Sequence, residues 1–330
     1  MAIASGLGGQ LGIATETTPG TFVTPASFLK FLEESLETKL DYSKVPAIAA
    51  GMAAQDDGLH VQTTRHVEGA IQPVPLSAGF GKILNLLAPG TIAPVGAGAA
   101  KTYTFPIGAV PPDGKSVSLQ VGVPGTDGTV RAKSVTGAVI ESITFAMERG
   151  GTLTCTANIW GSDLVTTETL AVATYPAGTE AFGFLQSQLQ IDDAAVGSCV
   201  RSFTITYTFP KANDRYCMNG SGTGLVPITN GLITVTGSYV LEFSGGWTQY
   251  NAFRNATRRK LTVSCLGRTE IETGVKPEIA FEVPKMVVID NGTPFVSGPD
   301  LVTTTASFEG VTTPGTALST IKYVTSDTAL

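Results

Sequence analysis

The sequence predicts a mainly β protein built from two tandem β-sandwich domains, each with one short flanking helix. Three observations lead there. The chain of 330 residues is about twice the usual domain length, enough to bury two cores. Only 15% of it is charged, while it holds 38 Gly, 19 Pro and 45 Thr, a composition that favours strands and turns over helices. Its clearest segments alternate apolar and polar residues with period two, which marks strands with one buried face.

In chain order, strands are expected at residues 35–42 and 65–76, then a short helix over 79–87 (GFGKILNLL). Further strands follow at 115–123, 139–147 and 151–160. The strongest alternation comes next. SFTITYTF, from residue 202, sets Phe203, Ile205, Tyr207 and Phe209 against Ser202, Thr204, Thr206 and Thr208. ITVTGSYVLEF, from 233, sets Ile233, Val235, Tyr239, Leu241 and Phe243 against Thr234, Thr236, Ser238 and Glu242. A second short helix is expected over 246–258, and strands over 260–266, 279–289 and 301–308.

The order of elements repeats. Ser35-Leu36-Glu37 aligns with Ser202-Phe203-Thr204 at an offset of 167, and Val67-Glu68-Gly69 with Val235-Thr236-Gly237 at 168. The run from Leu153 to Gly161 aligns with Val302 to Gly310 at 149, so the first half carries about 19 extra residues somewhere in 88–136. This reads as a tandem duplication, with domains at residues 1–168 and 169–330 and a border within 164–180. One large β-sandwich with accidental internal similarity is the alternative.

Chemistry is scarce. Two histidines, His60 and His66, are the whole imidazole supply, with no HExxH and no cysteine pairs to complete a metal site. No GxSxG elbow is present. Gly6-Leu7-Gly8-Gly9 lacks the preceding strand of a dinucleotide loop, and Gly114-Lys115-Ser116 enters a strand where a phosphate loop needs a helix. Asp56-Asp57 and Asp192-Asp193 stand in turn contexts. We therefore expect no catalytic, cofactor or metal residues, and not an enzyme. The four cysteines, Cys155, Cys199, Cys217 and Cys265, read as buried small hydrophobes. With 21 basic and 27 acidic residues the surface is wrong for holding nucleic acid, and no stretch approaches a membrane span. The N-terminus lacks the features of a secretory signal, so the chain is expected to stay in the cytoplasm where it is made.

The opening run, from Gly6-Leu7-Gly8-Gly9-Gln10 through Glu16-Thr17-Thr18-Pro19-Gly20-Thr21, then Phe28-Leu29-Lys30-Phe31, resembles the start of major tail tube proteins of long-tailed, non-contractile bacteriophages. Gly69 with its following helix, Asp113-Gly114-Lys115-Ser116 entering a strand, Asn230-Gly231 before a strand, and the closing Val296-Ser297-Gly298-Pro299-Asp300 fall in the order seen there. The departure is length, since minimal proteins of this kind are about half as long. The resemblance implies tail-tube-type domains whose hairpin sheets join into a β-barrel around a lumen, in rings that stack to form a conduit for genome delivery. Two domains per chain imply trimeric pseudo-sixfold rings, with a hexamer as the alternative. Implied partners are other copies of the chain, a tape-measure protein, tail terminator and tail-tip proteins, and DNA in transit without specific binding. The implied place is the virion tail, with assembly in the host bacterial cytoplasm.

Within that frame alternation assigns the polar sets to the lumen: Glu37, Lys39, Asp41, His66, Glu68 and Gln72 in the first half, and Thr204, Thr206, Thr208, Thr234, Thr236, Ser238 and Glu242 in the second. Leu36, Leu40, Val67 and Ile71 take the matching core places. The long connections 43–64 and 210–230 are expected to reach an adjacent ring through Val45, Ile48, Met52, Leu59, Tyr216, Met218 and Leu225. The N-terminal arm 1–34 and the tail after Pro314 are further contact candidates. A surface-displayed β-sandwich adhesin or receptor-binding module is the competing reading.

Overall fold

A computed structural model describes residues 5–330 except 49, 52, 55, 219–221, 291, 292 and 297. The first half runs β1 (Gln10–Thr15), β2 (Ser27–Leu29), β3 (Phe31–Glu34), β4 (Glu37–Lys44), β5 (His60–Pro73), α1 (Gly81–Asn85), β6 (Lys101–Ile107), β7 (Val117–Pro124), β8 (Val130–Glu148), β9 (Thr154–Gly161) and β10 (Asp163–Val165). The second runs β11 (Ser187–Ile191), β12 (Ala194–Ala195), β13 (Val200–Thr208), β14 (Thr234–Glu242), α2 (Thr248–Arg254), β15 (Arg259–Leu266), β16 (Glu278–Val288), β17 (Thr303–Gly310) and β18 (Ser319–Thr325). The mainly β expectation holds, and all ladders between these strands are antiparallel.

A continuous sheet crosses the middle of the chain. Its strand order is β4–β5–β9–β8–β13–β14–β17–β16, with β8 against β13 at the centre. The order β4–β5–β9–β8 recurs as β13–β14–β17–β16. A second layer repeats likewise, with β1–β7–β8 on one side and β11–β15–β16 on the other. Strands β8 and β16 are long enough to serve both layers, and β8 changes register between Ile140 and Ser142 where it passes from one to the other. Strand β6, from the long connection of the first half, crosses to pair with β18 of the second.

The core lies between the layers and runs through both halves. Alternation places Phe203, Ile205, Tyr207, Val235, Tyr239 and Leu241 inside, as expected, along with Leu36, Val67 and Ile71. Phe145 of β8 packs 4.7 Å from Phe281 of β16, and the ring of Tyr207 meets Phe145 edge-on at 6.3 Å. Burying such a ring contributes about 1.5–3 kcal/mol, so these contacts fasten the halves to each other. The buried tyrosine hydroxyls find partners: Tyr239 donates to Gln249 Oε1 at 2.8 Å and Tyr323 to the Leu76 carbonyl at 2.7 Å. Burial raises the Tyr239 and Tyr323 phenols above their usual range.

Several expectations need correction. Leu40 is 44% exposed, because β4 has only β5 beside it and no element covers it closely enough to bury any of its eight residues. Both helices form but are shorter, α1 and α2 being five and seven residues long. Much of the expected N-terminal arm is integral sheet: Leu11 and Ile13 of β1 are buried, and β1 pairs with β2 and β7. The tail after Pro314 likewise forms β18 between β16 and β6. Cys199 and Cys217 are exposed, since both lie outside the core strands, whereas Cys155 and Cys265 are buried.

The Glu16–Gly20 turn has a local cause. Glu16 is buried, and its carboxylate accepts from Ser116 Oγ (2.6 Å), Ser118 Oγ (2.9 Å) and the amides of Gly137 (2.8 Å) and Gly20 (2.7 Å). A buried carboxylate with four donors is stable where an unpaired one is not. Gly20 sits at φ +83°, which the turn after Pro19 requires.

Candidate functional site

Registers across the continuous sheet decide which residues share a face. Glu37 lies opposite Glu68, Lys39 opposite His66, and Asp41 opposite Thr64. Glu68 faces Trp160, Asn158 faces Ser142, and Ser142 faces Thr208. Thr204, Thr206 and Thr208 then face Ser238, Thr236 and Thr234, and Glu242 faces Thr303. Side chains directly opposite each other in a ladder point the same way, so the thirteen residues assigned to the lumen all project from one face. Gln72 belongs with them by parity along β5. The same face carries Thr144, Thr154, Thr156, Thr305 and Ser307, polar positions that the sequence reading left unassigned.

The face is polar without being uniform. At the β4–β5 end it is charged, with Lys39 bonded to Glu37; that contact holds the Glu37 carboxyl below its ordinary range and lifts the Lys39 ammonium. Thr64 donates to Asp41 at 2.6 Å. Through β8, β13 and β14 the lining becomes hydroxyls. Arg201 at the margin is paired with Glu242 at 3.3 Å, so two of the cations that reach this surface, Lys39 and Arg201, have their charge met by a carboxylate.

The described residues of the 210–230 segment lie across the first half. Thr229 donates to Asp113 Oδ1 from its amide (2.8 Å) and its hydroxyl (2.7 Å), and Lys211 Nζ stands 3.4 Å away. Burial opposes ionisation of Asp113, but the Thr229 and Lys211 hydrogen bonds outweigh it and leave the carboxyl below its usual value. Burial lowers the Lys211 ammonium in turn. Asn213 bonds Glu141, and the Arg65 amide donates to the Gly222 carbonyl at 2.9 Å. Tyr216 bonds His66 Nδ1 at 3.0 Å; His66 stacks on Trp160 at 6.1 Å and its Nε2 meets Glu68 at 3.0 Å.

Of the residues expected to reach another ring, Val45 (50% exposed), Ile48 (101%) and Met218 (108%) stand out into solvent. Leu225 is 41% exposed, Leu59 and Tyr216 are half-buried, and Met52 lies outside the described residues. The sequence reading missed Asp113, Glu141 and Trp160, which seat the 210–230 segment from 50 to 120 residues away in the chain. Among the described residues no group of His, Cys, Asp and Glu is placed to hold a metal.

A β protein with a broad polar sheet face and an unpaired strand at the sheet's edge has the build of a subunit made to join others. The family comparison agrees with that build. A family model described as phage tail tube protein matches residues 6–310, and the chain belongs to that family. It is a structural component of a virion tail that self-assembles into a tube, and the adhesin alternative finds no support. No curated protein matches the chain.

Proposed function

We propose that the chain is the tube subunit of a long-tailed, non-contractile phage, that residues 1–168 and 169–330 are duplicated tube domains, and that three chains close a pseudo-sixfold ring. The observation that carries this reading is the β8–β13 ladder. It joins one four-stranded sheet to the next edge to edge inside a single chain. An edge-to-edge junction of this kind between chains sets β4 of one chain, the counterpart of β13, against the far edge of the next chain's second half, where β17, the counterpart of β9, extends past the end of β16, the counterpart of β8. That edge is available: β16 pairs with β17 only over Met286–Val288, so the ladder leaves the outer side of Thr303–Ala306 uncovered by any described strand. Six four-stranded sheets from three chains then close the barrel.

The polar face lines the lumen in this arrangement. Hydroxyls and paired ions offer a passing phosphate backbone no row of free cations, so DNA slides without being held. The exposed tip of the β4–β5 hairpin, with Val45 and Ile48, meets the adjacent ring. Assembly takes place in the bacterial cytoplasm, with a tape-measure protein, tail-tip proteins and a terminator as partners. The test is electron microscopy of the purified chain at high concentration. Rings or stacked tubes with open centres support the reading. Protein that stays monomeric even with tail-tip complex added contradicts it.

A further inference from the structure

We propose, resting on the ring reading above, that Leu40 of β4 and Val61 of β5 are covered in the assembled ring by the second half of a neighbouring copy, at Asn255 and the end of β16 around Ile289. Both side chains point to the core side of the hairpin. Leu40 lies opposite Arg65, and Val61, Arg65 and the buried Val67 alternate along β5. The two halves carry this hairpin in different surroundings. Every residue of β4 is exposed, whereas the inward side of β13 is buried through Phe203, Ile205 and Tyr207 and on to Phe209.

Close backbone approaches align the two hairpins. A Cβ on Gly69 meets the Ser35 carbonyl oxygen, and one on Gly237 meets that of Thr204. Strands β5 and β14 are therefore offset by 168 residues and β4 and β13 by 169, two more than the sequence repeat gives for that strand. Leu40 holds the place of Phe209, and Val61 that of Thr229. Within the chain those two counterparts are seated on the first half. The Phe209 amide donates to the Glu141 carbonyl (2.7 Å), and Thr229 donates to Asp113 from its amide and its hydroxyl. No described segment of the same chain does this for Leu40 and Val61, which are left 44% and 53% exposed.

The second half carries the counterpart of that seat. Leu11 pairs with Val121 and Leu189 with Val263, which offsets β15 from β7 by 142; Gly114 (φ +81°) and Ala256 (φ +47°) keep the same spacing. Asp113 thus corresponds to Asn255. Val121 faces Lys133 and Val263 faces Phe281, which offsets β16 from β8 by 148 and makes Ile289 the counterpart of Glu141. Asn255 and Ile289 are both exposed. The chemistry changes on the two sides together. Asp113 and Glu141 meet the polar Lys211, Thr229 and Asn213. In place of those acids the second half offers an amide and an alkyl side chain, and the β4–β5 hairpin brings Leu40 and Val61 to meet them. Such a contact removes apolar surface from water and leaves no carboxylate buried without its partner. It is continuous with the junction proposed above, since β16 ends beside the β17 edge that receives β4.

Thiol labelling and a charge exchange test this. Leu40→Cys and Lys39→Cys, each in a background with the exposed Cys199 and Cys217 changed to Ser, are labelled with a maleimide as monomers and as isolated rings. Leu40→Cys is expected to label about tenfold more slowly in rings, while Lys39→Cys, on the opposite side of the strand, keeps its rate. Leu40→Glu is expected to raise the concentration needed for ring formation about tenfold at near-parental Tm, and Ile289→Lys added to the same chain to bring it back. Unchanged labelling of Leu40→Cys on assembly, Leu40→Glu chains that assemble at the parental threshold, or a Leu40→Glu defect that Ile289→Lys leaves uncorrected each overturn this inference and leave the ring reading standing. Failure of the parent chain to form rings under any condition overturns both.

Discussion

Thr206 of β13 and Thr144 of β8 lie directly opposite each other, their hydroxyls 2.9 Å apart, across the seam between the two halves of the chain. One residue along, on the other face, Ile205 is opposite Phe145, and both are buried. The seam is thus a complete piece of sheet, with a hydroxyl surface above and a packed core below. A junction that satisfies both faces inside one chain is a workable pattern for joining separate chains.

The face assignments predict opposite outcomes for two substitutions. Val235 is fully buried and Val67 equally so, and Val235→Asp or Val67→Asp places an unpaired carboxylate in the core. Each is expected to cost more than the roughly 2–7 kcal/mol of an unpaired buried amide or hydroxyl and to abolish folding, read by circular dichroism and solubility. Glu68→Gln, on the exposed face, is expected to leave assembly intact. A soluble, normally assembling Val235→Asp protein shows that the strand faces are reversed.

Gly237 predicts a packing effect. A Cβ there collides with the Thr204 carbonyl oxygen and the Phe308 ring, and one at Gly69 collides with Ser35 backbone. Both glycines sit where neighbouring strands approach too closely for a side chain. Gly237→Ala is expected to destabilise the fold by about 1–3 kcal/mol, seen as a lowered Tm.

Acid is expected to loosen the 210–230 segment. The Asp113 carboxyl lies below its ordinary value of 3.8 in the fold, so its stabilising contribution is present above that value and fades as pH falls through the lowered one. The protection of the amides near Thr229, measured as exchange relative to the intrinsic rate at each pH, should therefore fall at low pH. Asp113→Asn is expected to show the lower protection already at neutral pH, with less change on acidification.

Strand β4 offers a way to block assembly without unfolding the subunit. The Ser35 amide donates inward to the Ala70 carbonyl, and alternation along an antiparallel strand turns the Thr38 amide outward. Thr38→Pro removes a donor from the open edge while sparing the β4–β5 ladder. The expected outcome is a folded monomer with near-parental Tm that forms no rings, read by size-exclusion chromatography and microscopy.

What was legible in the sequence was whatever lay in long alternating runs. The polar and apolar faces of β5, β13 and β14 follow from period two alone, because each of these strands has one face on the core. Strands β1, β6 and β18 were not legible. Gly12 interrupts the alternation of β1, and Pro106 in KTYTFPI argues against a strand unless, as here, it lies in a ladder at the sheet's margin. The folding-back of residues 210–230 depends on Asp113, Glu141 and His66, contacts between distant parts of the chain that no local pattern announces. The exposure of Leu40 has the same kind of origin: alternation says which way a side chain points, and only the assembly of neighbouring strands says whether anything is there to cover it.

The number of chains in one ring tests the central claim most directly. Native mass spectrometry of isolated rings, paired with averaged end-on views, should give three chains of 34.1 kDa arranged with sixfold pseudo-symmetry around an open lumen. Six chains per ring would contradict the account, because the β8–β13 seam would then not stand in for a junction between subunits.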